Sequence, residues 1–387
     1  MAVQSPSQPS PPAFSGVKFR ESLTAYLFIL PAVAIIALFG LFPIGYSLYM
    51  SLYDWIVQQG DFIGFEHYQT ILGDLPGTIA FAAGLSLFVV AYLVWDRAFK
   101  QLDNGKLIAG AVGALVLIAG GFVTSFGWGR MIEGTTNADF LLGLPITLYY
   151  AIFSVPVQLS FGLIIAYLLY QNIKGKEVFR MLYFLPYVTP AVAAAAVFRT
   201  IFSPRETSVA NQAVGLFGLE PLRWLQDARP ITEILFGVQW EGFWAGPSLA
   251  LMSIVFLGWW MYTGYNAVIF LAGLGSIPRD LYEAAEIDGA NQVQVFRYIT
   301  LPLLSPVTFY LSVIAFIGTF KAFNTIYVMR ERSALGTVDT ASIVIFDTFR
   351  AGRRYGLAAA QAIILFIIIL AMTQVQNKIF GEKVFYG

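Results

Sequence analysis

Long apolar runs broken by short polar intervals set the pattern of this chain. A hydrocarbon core of about 30 Å takes about 20 helical residues. Runs of that order fall at about 24–49, 78–95, 107–126, 142–170, 181–202, 249–274, 307–329 and 356–380. They are continuous, without the alternation of a transmembrane barrel. The expected fold is an all-α polytopic membrane protein with about eight transmembrane helices. Pro31 and Pro43 lie inside the first run, where neighbouring helices must absorb any kink. Pro186 and Pro190, followed by an alanine-rich stretch, predict a broken fifth helix packed closely on its neighbours.

The polar intervals orient these spans. Residues 1–17 are rich in Pro, Ser and Gln and read as a disordered tail. A cleavable signal peptide is not expected, because the first apolar run starts late, is long and lacks a small-residue cleavage site. Lys18 and Arg20 ahead of that run favour a cytoplasmic amino terminus. Asp54, Asp61, Glu66 and Asp74, without Lys or Arg between them, mark 54–77 as an outer loop. Arg97, Lys100 and Lys106 mark an inner turn, as do Lys174, Lys176 and Arg180. Residues 203–247 form a mixed-charge outer loop, and an even number of spans puts both termini in the cytoplasm. Arg330, Arg332, Arg350, Arg353 and Arg354 run against the usual bias in the last outer loop, where Glu331, Asp339 and Asp347 are available as partners.

One polar interruption reads as structured. From Ile277 to Asp288 a short helix opens at Pro278, Gly289 supplies a turn, and a second helix carries Val293, Phe296 and Ile299 until Pro302 stops it. The chain thus divides into the tail (1–17), a first span with its outer loop (18–77), a hairpin of two spans (78–126) and a core (142–387) holding the loop 277–306.

Composition narrows the chemistry. Charged residues make up 12% of the chain, about half the usual share, and the formal net charge of zero suggests no nucleic-acid partner. There is no cysteine and one histidine, His67, so thiol chemistry and a histidine-rich metal site are excluded. His67 reads as a packing or loop residue. No phosphate-binding Gly-x4-Gly-Lys-Ser/Thr loop occurs, so this chain is not expected to hydrolyse ATP. A nucleophile elbow and paired intramembrane carboxylates are also lacking. No enzyme activity, cofactor or metal is expected.

Glu283, Ala284 and Ala285, then Gly289, then Ile299-x-Leu301-Pro302 match the EAA signature of bacterial ABC-importer permeases, spacing included. The flanking FLAGLGSIPRDLYEAAEIDGA and YITLPLL are similar to the carbohydrate-uptake permeases, the family that includes the larger maltose-transporter permease. The resemblance covers about 18–75 and 142–387 and leaves the hairpin 78–126 outside, as a peripheral, lipid-facing addition. It implies an inner-membrane permease subunit paired with a second, homologous permease, two cytoplasmic ATPase subunits and an extracytoplasmic sugar-binding protein. The elbow, with Glu283, Ala284, Ala285, Asp288, Gly289, Ile299, Leu301 and Pro302, would couple to the ATPase.

A sugar pathway calls for aromatic faces and neutral hydrogen-bonding groups. Tyr262, Tyr265 and Asn266 stand at helical i, i+3, i+4 spacing and can share a face. Tyr265 also falls where the family has a sugar-contacting tyrosine. Thr319, Lys321 and Asn324 are proposed from chemistry alone. A charge such as Lys321 at a helix centre costs about 2.5–3.5 kcal/mol, so it should face a wet cavity, pair with an acid or snorkel. Maltodextrin, trehalose, another disaccharide and glycerol phosphate all suit such a pocket. The rival reading is a self-sufficient secondary transporter or channel, which predicts ion-coupling carboxylates or an inverted repeat.

Overall fold

A computed structural model describes residues 16–101, 106–171, 174–240 and 242–381. The proposed tail lies almost wholly outside them. Among the described residues six helices are long and apolar enough to cross a membrane, and two bent pairs bring the total to eight if each pair is one span. In chain order they begin with α1 (Glu21–Ser51), followed by a hairpin of β1 (Tyr53–Ile56) and β2 (Gln58–Phe62) and the short α2 (Glu66–Leu72). Next come α3 (Leu75–Gln101), α4 (Lys106–Gly134) and α5 (Ala138–Tyr170). The fifth span is bent, with α6 (Lys176–Val188) meeting α7 (Ala191–Ile201) at 95°. Two short helices, α8 (Val209–Gly215) and α9 (Ile231–Phe236), punctuate the following loop, and α10 (Leu249–Ser276) returns the chain. The elbow is α11 (Arg279–Ile287) and α12 (Gln292–Leu303). The chain ends with α13 (Ser305–Phe320), α14 (Asn324–Met329), α15 (Ala341–Arg350) and α16 (Tyr355–Phe380).

Three apolar clusters hold the core. One joins α5, α7, α10 and α14 through Tyr150, Phe198, Ile254, Leu257 and Ile326. A second ties Ile71, Met131, Phe140, Phe320 and Leu357 together. The third, with Ala166, Phe270, Leu274, Leu304 and Leu311, lies beside the elbow. Helices α5 and α10 approach closely where Gly162 faces Asn266: a β-carbon at 162 would stand 2.7 Å from that of Asn266. The hairpin α3–α4 packs mainly on itself, with glycines such as Gly84 and Gly127 at the contact. It is tied at one end by an Arg130–Asp74 ion pair (2.6 Å) and by Thr135, whose hydroxyl donates to the Thr70 carbonyl (2.7 Å).

Three expectations about helices need correction. Pro302 does not stop the second helix of the elbow. A π turn at Phe296–Thr300 resets the hydrogen-bond ladder, so Pro302 enters the first turn of the next stretch, where its missing N–H costs nothing. The break comes at Leu304, with a bend of 61° into α13. The seventh span ends at Phe320 rather than Met329, which leaves Lys321 exposed at the helix end instead of within the span. The outer segment 54–77 is not mere loop, since it contains the β-hairpin and α2.

Candidate functional site

The elbow is built by local rules. Pro278 precedes α11, and Asp280 in its first turn complements the helix dipole. At the far end the Gly289 N–H donates to the Glu286 carbonyl (3.0 Å) and the Ala290 N–H to the Ala285 carbonyl (2.9 Å). These are the two bonds of a Schellman cap, and Gly289 takes the left-handed φ of 76° that the cap needs. Asn291 then starts α12 with a capping box: its side chain accepts from the Gln294 N–H (2.9 Å), and its own N–H donates to Gln294 Oε1 (2.8 Å). The two helices are joined by Tyr282 and Thr300, whose hydroxyls lie 3.3 Å apart. Phe296 packs edge-on to Tyr167 of α5, with ring centres 5.0 Å apart. Tyr282 and Phe296 fix the angle of the elbow, and neither belongs to the signature that drew attention to it.

Of the signature residues, Glu283, Ala284, Asp288, Gly289, Leu301 and Pro302 are exposed, while Ala285 and Ile299 are half-buried. Among the described residues Glu283 makes no ion pair. Ile287 (86% exposed) and Val293 (73% exposed) flank the turn, so the tip presents apolar side chains beside a free carboxylate. That combination suits a partner protein better than water.

The six proposed substrate residues do not form one surface. Tyr262 and Tyr265 do come together, around a ring from α6: Tyr187 stacks on Tyr265 at 4.6 Å and meets Tyr262 edge-on at 6.2 Å. Tyr187 was missed from sequence; it lies between Pro186 and Pro190, in the bent segment. Asn266 points elsewhere. It is buried against Gly162 of α5, and its Nδ2 has no hydrogen-bond partner among the described residues. Thr319 is buried and donates to the Phe316 carbonyl of its own helix (2.8 Å). Lys321 and Asn324 are exposed on either side of the break between α13 and α14.

The segments around α14 and α15 are held by ion pairs and side-chain hydrogen bonds. Arg330 bonds Asp347 (2.7 and 3.1 Å) and Asp339 (3.3 Å), and Glu331 pairs with Arg199 of α7. A cavity of about 540 Å³ lies between the start of α5 and α15, lined by Asn137, Asp139, Gly143, Asp339 and Asp347 among others. None of the six proposed substrate residues lines it. The Thr147 hydroxyl on α5 accepts from the Ala341 N–H (2.9 Å) and so caps α15. His67 is buried with Nε2 3.1 Å from the Tyr53 carbonyl oxygen, and burial pushes its pKa down. Arg229 beside Asp227 holds that carboxyl below its usual range.

Comparison with known proteins gives this architecture its context. Residues 158–385 match the family model described as binding-protein-dependent transport system inner membrane component. An arabinooligosaccharides transport system permease protein of Halalkalibacterium halodurans is 33% identical over 262 residues, 67% of this chain and 76% of that one. A trehalose/maltose transport system permease protein of Thermococcus litoralis is 24% identical over 367 residues, 94% of this chain and 96% of the other. In fold, the chain is similar to one from the crystal structure of a bacterial ABC transporter involved in the import of the acidic polysaccharide alginate. The TM-score is 0.59 at 19% identity, covering 95% of this chain and 98% of that one. The EAA elbow and the helical core thus have one origin: the chain belongs to the family of binding-protein-dependent transport system inner membrane components.

Proposed function

We propose that this permease moves a carbohydrate, an oligosaccharide, disaccharide or related polyol, into the cytoplasm, driven by separate ATPase subunits. The elbow carries the reading: an EAA helix closed by a left-handed glycine, with an unpaired carboxylate and exposed apolar residues at its tip. Both termini and the elbow lie on the cytoplasmic side, where two ATPase subunits dock. The chain pairs with a second, homologous permease, and the outer loop 203–247 receives an extracytoplasmic binding protein. ATP binding draws the two elbows together and opens the pathway outward, and release of ADP and phosphate reverses the motion. This chain binds no nucleotide itself; the names of two relatives support a sugar as cargo. Tyr187, Tyr262 and Tyr265 offer it aromatic faces, with Lys321 and Asn324 as polar groups. Asn266 and Thr319, buried between or along helices, serve packing in this conformation. The hairpin α3–α4 faces lipid.

Gly289→Pro removes a donor and imposes a φ of about −65° where the cap requires a positive one. Glu283→Lys reverses the tip charge without touching the core. Both variants should insert normally, while ATP-driven uptake in proteoliposomes falls by about tenfold or more, the factor that about 1.4 kcal/mol of lost docking free energy produces. Wild-type uptake in either variant counts against the coupling role.

A further inference from the structure

The arginines of the last outer loop sort into two kinds. Arg330 is paired with Asp339 and Asp347, and Arg350 donates to the Tyr327 hydroxyl (3.2 Å) and lies over the Phe346 ring. Arg332, Arg353 and Arg354 are different: all three are exposed, and among the described residues none makes an ion pair, but only Arg353 and Arg354 adjoin a span. The backbone holds these two in place. Arg353 has φ 52°, the Arg354 N–H donates to the Thr348 carbonyl (3.2 Å), and Arg354 forms an isolated bridge with Ile56 of the hairpin. Residue 355 begins α16, a 26-residue membrane span.

Aromatic rings crowd the segments around Arg353 and Arg354. Tyr46 and Trp55 meet at 6.1 Å, Tyr53 and Phe62 at 5.3 Å, and Phe349 and Tyr355 at 4.8 Å. Phe62 and Phe349 are exposed. Aromatic rings gather at the headgroup level of a bilayer, where one side is apolar and the other wet. Two unpaired guanidinium groups at the outset of a span can each offer a fork of N–H donors, and positive charge, to the singly charged phosphodiester of a lipid headgroup.

We propose that Arg353 and Arg354 bind the phosphate of an anionic phospholipid headgroup and anchor the outer end of α16. A soluble partner fits less well, because the patch stands among rings suited to the lipid boundary. This assignment depends on the chain spanning a membrane, and not on what it transports.

The test uses the full chain in nanodiscs of phosphatidylcholine with increasing phosphatidylglycerol, reading bound lipid by native mass spectrometry and the thermal midpoint. Each guanidinium near an anionic surface contributes about fivefold in affinity. Wild type should therefore prefer phosphatidylglycerol by about 25-fold at low salt, with the preference shrinking as salt rises. The pair Arg353→Gln/Arg354→Gln should bring it near parity, while Arg205→Gln/Arg223→Gln leaves it intact. If the glutamine pair does not insert, Arg353→Lys/Arg354→Lys keeps the charge and should retain a weakened, salt-sensitive preference. A preference unchanged in the glutamine or lysine pair overturns the proposal. So does equal stabilisation by inorganic phosphate, which would point to a free-anion site. Loss of binding-protein docking with lipid preference intact overturns it as well, in favour of a protein partner.

Discussion

Asn211 holds the long loop between α7 and α10 together, and its removal should open it. The side chain is 3% exposed and makes five hydrogen bonds to separate parts of the loop. Its Nδ2 donates to the carbonyls of Ser203 (3.5 Å), Arg205 (3.1 Å) and Leu222 (3.1 Å). Its Oδ1 accepts from the Leu222 N–H (2.9 Å) and from Trp224 Nε1 (2.7 Å). In Asn211→Ala the two donors lose their acceptor, at about 1–3 kcal/mol each where water does not replace it. Leu222 and Trp224 are half-buried, so some water will enter, and a total of about 3 kcal/mol is expected. Asn211→Asp should cost more, because three carbonyl oxygens would then face a carboxylate. Trypsin reports the opening directly: Arg205 and Arg223 flank the anchored segment and should be cut faster in the variant, with a lowered thermal midpoint in detergent. An unchanged cleavage rate and midpoint in Asn211→Ala would refute the view that this side chain organises the loop.

Other consequences follow from single contacts. His67 is buried and favours its neutral ring, so between its lowered folded pKa and the ordinary value of about 6.5 the unfolded chain binds more protons. Stability should therefore fall as pH drops below about 6.5, and His67→Gln should flatten that part of the thermal-midpoint profile; an equal slope in the variant refutes it. Gly162→Ala should cost about 1–3 kcal/mol by forcing α5 from Asn266 of α10, whereas Gly110→Ala, with open space around it, should cost nothing measurable. Equal midpoints for the two variants would contradict the close approach of these helices. Arg330→Met should lower the midpoint and be partly rescued by Asp347→Asn, since the cost lies in the carboxylates left unpaired; a lack of rescue counts against this.

Much of the fold was legible because the membrane imposes a coarse rule: a run of about 20 apolar residues must be a span. The break at Pro186 and Pro190 was legible for the same reason that it occurs, since two prolines four residues apart cannot both be absorbed in one helix. What sequence reading missed depends on smaller effects. The β-hairpin turns at Val57, a β-branched residue with φ 64°, where an Asn-Gly or Asp-Gly signal is normally sought. Pro302 reads as a stop until the π turn before it is known, and nothing in the local composition announces that turn. Tyr262, Tyr265 and Asn266 have helical spacing, but spacing does not say which side of the shared arc meets a neighbour. Gly162 decides that by drawing α5 onto Asn266. The elbow was the most legible element, because its Schellman glycine and capping box are local, and each is written in two or three residues.

Gentle purification of the complex through this chain, followed by uptake assays in proteoliposomes, decides whether the chain is an ATP-driven importer subunit. A second EAA-bearing permease and two copies of an ATPase should accompany it, and sugar should enter only with ATP and the binding protein. A lone chain or homo-oligomer that transports without ATP would contradict the importer reading.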